Sequence, residues 1–114
     1  MADHPTGERA RQRRVAENER LIRETNWERS VEAADGGAAD DEEMELWCAC
    51  GRTDCSTVLS LTLREYRTAH AHPHRFVVAP GHAVDALEIV VERHRHYDVV
   101  EKRLAYQGVD PTDP

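Results

Sequence analysis

Residues 47–55 read WCACGRTDC, and they hold every cysteine of the protein: Cys48, Cys50 and Cys55. Three thiols this close together raise the question of what they hold. Structural zinc sites take four Cys or His ligands tetrahedrally, and a tight turn supplies several of them with little loss of chain entropy. Gly51 directly follows Cys50. A glycine there can take positive φ, which turns backbone N–H groups toward a thiolate and disperses its charge. Free cysteines do occur as small buried hydrophobes, yet the loop between these three is polar. The spacing C-x-C-x4-C differs from a repeated C-x2-C pair, and it still points to a metal. Soft thiolate ligands without a fourth cysteine favour Zn2+ over an iron–sulfur cluster.

The flanking sequence predicts how the turn is built. EMELWC, 43–48, alternates, placing Met44, Leu46 and Cys48 on one strand face and Trp47 on the other. STVLSLTL, 56–63, is rich in β-branched and aliphatic residues and reads as the return strand of a hairpin whose loop carries the thiols. Thr62 and Glu65 fit the capping box S/T-x-x-E, so a short helix begins at Leu63 and ends before Pro73. RFVVA, 75–79, is a further strand, closed by a Pro80-Gly81 turn that presents His82. Two more strands are expected near 87–93 and 97–103, with a helix over 83–93 as the competing reading, since Val84, Leu87 and Val91 also match helical spacing.

Three thiolates leave one coordination position, and His82, on its own tight turn after a strand, leads for it. The site is then Cys48, Cys50, Cys55 and His82, with His94 as the alternative fourth ligand. His94 also fits a role beside the site or in a plain turn. His70, His72 and His74 in HAHPH resemble an accessory metal tract, but around Pro73 they read as solvated turn residues. Asp54 could offer a carboxylate or simply stay solvated.

The N-terminal third differs in kind. Residues 7–33 contain no proline and many helix formers. Val15, Leu21, Ile22 and Trp27 are too sparse for a wide core-facing stripe, so a long, mostly exposed helix is expected. ADGGAADDEE, 34–43, joins paired glycines to an acidic run and reads as a linker. The fold class is therefore α+β: a long N-terminal helix (1–33), an acidic linker (34–43), a small zinc-stapled β-rich domain with one short helix (44–106) and a disordered tail (107–114).

Three stretches, CACGRTDCSTVLSLTLREY, RFVVAPGH and VVERHRHYDVVEK, resemble a group of small uncharacterised bacterial proteins. They share C-x-C-x4-C, L-T-x-x-E-Y, F-x-V-x-P-G-H and V-x-x-H-x-x-Y, and the N-terminal RVAENERLIRETN is similar to theirs. The resemblance implies Cys48, Cys50, Cys55 and His82 as zinc ligands, with His94 a further matching position. It carries no activity.

Composition narrows the function. The 114 residues include one Phe, two Trp and two Met, a thin set of large core formers, and a small domain so composed benefits from a metal staple. A formal charge of −7 argues against general nucleic-acid affinity. Arg9, Arg11, Arg13 and Arg14 form a basic cluster, but Glu8, Glu17 and Glu19 dilute it and no aromatic stacking set accompanies it. No apolar run matches a membrane span or signal peptide, so a cytoplasmic, reducing location is expected, where disulfides are rare.

The function so read is a zinc-binding protein-interaction or regulatory module. Its arm is the N-terminal helix, binding a protein partner or a second copy through Val15, Leu21, Ile22 and Trp27. A redox- or metal-responsive zinc switch is the alternative. A zinc enzyme, with Glu65 or Asp54 as base, or a Cys55–His94 nucleophile pair, is the least supported. It lacks H-E-x-x-H, the deaminase signature and a third orienting residue; a non-enzymatic role is expected.

Overall fold

The computed structural model describes residues 4–107; the expected tail beyond Gln107 lies outside the described residues. The architecture is α+β. A long helix, α1 (His4–Asp35), leads through a short connection to an antiparallel hairpin, β1 (Glu43–Trp47) and β2 (Val58–Thr62). Helix α2 (Leu63–His70) follows directly. Strands β3 (Arg75–Val78), β4 (Glu88–Arg93) and β5 (Asp98–Lys102) then form an antiparallel sheet in the order β3-β5-β4.

Local chemistry accounts for these boundaries. α1 stops where Gly37 takes φ 94°, and the Ala38 and Gly37 N–H groups close back on the Ala33 and Ala34 carbonyls, a left-handed cap that glycine adopts without a Cβ penalty. At α2 the capping box forms as expected. The Thr62 hydroxyl accepts from the Glu65 N–H at 3.0 Å, and the Glu65 carboxylate accepts from the Thr62 N–H at 2.8 Å. The acidic connection is tied to this end too. The carbonyls of Glu42 and Asp40 accept from the Leu63 and Arg64 N–H groups, which no intrahelical carbonyl can serve.

Residues 83–93 settle as strand at their C-terminal end. β4 pairs with β5 from Glu88↔Lys102 to Arg93↔Asp98, with an irregularity between Val90 and Glu92. The competing helix would have left β5 with only one neighbour. Buried Leu46, Leu59, Leu61, Tyr66, Phe76, Val78, Val99 and Val100 make one core that both sheets share with α2.

The exposed-helix expectation for residues 1–33 holds only for the outward side of α1. Ala16, Glu19, Asn26 and Ser30 are buried along its inner face, at the i+3/i+4 steps that share one side of a helix. The docking is polar. The Asn26 side chain bonds both the N–H and the C=O of Trp47, each at 2.9 Å, just as a neighbouring strand would. The Arg23 guanidinium donates to the carbonyls of His70, His72 and Arg75, serving the unpaired end of α2. Glu19 meets Lys102, the only lysine of the chain, in a buried ion pair. Because these positions carry no apolar pattern, the sequence reads them as solvated.

Candidate metal centre

Two loops build the site, and each is shaped by its glycine. In the hairpin loop, Gly51 has φ 75°. In the second, Ala79-Pro80-Gly81-His82 forms a tight turn: the His82 N–H donates to the Ala79 carbonyl at 2.9 Å, and Gly81 sits at φ 81°. Proline followed by a positive-φ glycine is the type II turn. The buried Asp98 carboxylate steadies it by accepting from the Gly81 N–H at 3.1 Å.

Backbone bonds set the loops side by side. The Ala49 N–H donates to the Val77 carbonyl at 2.9 Å, linking the hairpin to β3. As a result Cys48, Cys50, Cys55 and His82 converge, with their ligand atoms all within 4.8 Å of one another. His82 Nδ1 lies 3.5 Å from Cys48 Sγ and 3.6 Å from Cys55 Sγ. With metal–sulfur bonds of about 2.3 Å and a metal–nitrogen bond of about 2.0–2.1 Å, the S···N edge of a tetrahedron is about 3.6 Å. The donor set and its spacing fit a metal ion such as zinc.

The surroundings suit thiolates. The Ala79 N–H points at Cys48 Sγ from 3.2 Å, and the Cys50 N–H also reaches it. The Arg52 N–H, just past the positive-φ Gly51, acts to favour the thiolate of Cys50. The Thr57 N–H and hydroxyl serve Cys55. These N–H···S contacts are the support a metal–thiolate centre uses. Without an ion, burial pushes the Cys48 thiol up to about 12 and also raises Cys50. Burial acts upward on Cys55 as well, but its Thr57, Cys50 and His82 contacts outweigh it and bring Cys55 down to about 6. A bound cation would favour the thiolate form of all three.

The other sequence candidates lie elsewhere. His94 stacks on Tyr97 at 4.4 Å and meets the Glu92 carboxylate at 2.8 Å, outside the cluster. Within HAHPH, His72 is exposed as expected. His70 differs, stacking on Trp27 at 4.2 Å, with burial and nearby Arg23 holding it down at about 4. Glu65 is committed to the α2 cap.

Sequence reasoning missed how tightly the ligand loop sits on α1. Asn18 Nδ2 donates to the Gly51 carbonyl at 3.2 Å. A Cβ on Gly51 would meet the Val15 carbonyl at 2.3 Å and Glu19 Cγ at 2.7 Å. Gly51 is thus required twice, for its φ and for the close approach of a helix. Comparison with protein-family models, with curated proteins and with solved structures finds no match to this chain.

Proposed function

We propose that Cys48, Cys50, Cys55 and His82 hold one Zn2+ in a closed structural site, and that the protein is a zinc-stapled interaction module. The convergence of four ligand atoms from two glycine-shaped loops, with N–H groups aimed at the sulfurs, supports this reading. Four protein ligands leave no position for a reacting water, so the ion organises the loops and does no chemistry. The reading assigns no catalytic residue. Metal analysis by native mass spectrometry tests it: one zinc per chain, lost in Cys50→Ser. Cobalt substitution should give a tetrahedral, thiolate-rich spectrum, and an exchangeable water would refute the closed site.

The interaction surface is the outer side of α1. Of the four positions expected to form it, Ile22 packs against the core, Val15 is half-buried and Trp27 (38% exposed) has one ring face on His70, while Leu21 (47%) remains exposed, as does Val31. A protein partner or a second copy of the chain would bind there. Sedimentation of the wild type against Leu21→Glu tests self-association; identical behaviour across concentration would remove that version.

An oxidant-responsive site is the second reading, favoured by one observation: Cys55 is the only one of the three sulfurs that is not fully buried. Peroxide would convert its thiolate to a sulfenic acid with release of hydroxide, removing a ligand. Peroxide titration with a zinc indicator tests this, and no release at modest excess would retire it.

A further inference from the structure

Beside the ligand loop, α1 and residues 51–54 enclose an open groove of about 490 Å3, within the size range of small-molecule sites. Three arginines are among the residues that line it, Arg11 and Arg14 from α1 and Arg52 from the loop. Arg11 is paired with Glu8 at 3.2 Å. Arg14 and Arg52 make no hydrogen bond or ion pair with another side chain among the described residues, although the Arg52 charge acts on Glu88. Among the described residues, Asp54 is the one carboxylate in the lining.

This arrangement runs against the rest of the molecule. The chain carries a formal charge of −7, yet three cations from two separate elements face one cleft. Like charges so placed repel, and an anion between them turns the repulsion into attraction. Arginine's planar fork suits oxyanions in particular, because it can give two parallel hydrogen bonds. Asn18 completes the wall, its amide nitrogen donating to the Gly51 carbonyl and so tying the loop to α1.

We infer that this groove is a binding site for a small phosphate-type anion bearing two or more charges, held by Arg14 and Arg52 with Arg11 at its edge. The site is separate from the metal cluster: none of Cys48, Cys50, Cys55 and His82 is among the residues that line the groove. It is compact, a single cleft between one helix and one loop, which suits a diphosphate group better than an extended polymer.

The test is a titration of the full-length protein, as isolated, with inorganic pyrophosphate at low ionic strength. It is followed by NMR at the arginine Nε–H resonances, with metal content measured before and after. We expect saturable one-to-one binding that shifts the Arg14 and Arg52 signals and weakens with salt. Arg14→Ser and Arg52→Ser should each weaken it by roughly tenfold, the worth of one charge-assisted hydrogen bond, while metal content and fold stay unchanged. Absence of saturation, equal affinity in the double variant, or tighter binding of a short oligothymidylate would each overturn the assignment. Since metal content is read separately, zinc bound at one per chain without pyrophosphate binding would refute the groove and leave the metal site standing.

Discussion

α1 and the β1–β2 hairpin meet the same small core by opposite means. The hairpin presents alternating side chains, so that Leu46, Leu59 and Leu61 go inward while Glu45, Trp47 and Ser60 face out. α1 presents almost no grease on its inner face. It is held by Asn18, Arg23 and Asn26 bonding to backbone atoms, and by the buried Glu19–Lys102 pair. Apolar burial tolerates sliding, because it is non-directional. Polar docking fixes one register, because each bond has a direction and leaves a buried orphan if broken. The cysteine loop sits between these regimes, its thiols gathered beside His82 and its Gly51 pressed on α1.

The largest effect should come from the ligands. In the proposed zinc site metal affinity would itself be folding energy, and Cys50→Ser removes one buried ligand. We expect loss of zinc and of the cooperative thermal transition, measured by metal analysis and calorimetry. Next is the buried ion pair. Glu19→Leu strands Lys102, and removing one partner of such a pair costs about 3–5 kcal/mol. Pairing it with Lys102→Met should recover most of that loss, as read from denaturant midpoints; an additive double variant would show that the two groups do not act as a pair.

Gly51→Ala tests the junction between the two regimes. It places a Cβ against the Val15 carbonyl at a positive-φ position, for which about 2–4 kcal/mol is expected from strain and overpacking together. Hydrogen exchange should show α1 amides opening first; uniform destabilisation would mean that the helix is not clamped there. Asn26→Ala leaves both Trp47 backbone groups unserved and should cost about 2 kcal/mol without changing zinc content.

A different kind of effect, a dependence on pH, comes from Glu88. Burial raises its carboxyl to about 7 from 4.5, against the favourable Val84 N–H and Arg52. The folded protein therefore holds this proton where the unfolded chain has released it, so stability from this group is full below about pH 4.5 and is lost as pH rises to about 7. Glu88→Gln should flatten that slope in midpoints measured across the window, and an unchanged slope would assign it to another group.

The same contrast explains what could be read from the sequence. The hairpin, the Thr62–Glu65 box, the Pro80-Gly81 turn and the convergence of Cys48, Cys50, Cys55 and His82 all carry local signals: alternation, a capping pair, glycine at positive φ, ligands on tight turns. The docking of α1 carries none. Asn18, Glu19, Arg23 and Asn26 look like a solvated face until their partners are known, and those partners are backbone atoms or a lysine far along the chain. His70 departs from the solvated reading for a similar reason, since its stack on Trp27 spans two helices.

The most direct test is a pair of NMR spectra of the full-length protein, before and after stripping by a strong chelator. With the ion we expect dispersed resonances for residues 43–102; without it, loss of dispersion in the loops carrying Cys48–Cys55 and His82, spreading into both sheets, and recovery when zinc is returned. A stripped sample with unchanged dispersion would contradict the claim that a metal holds these loops together.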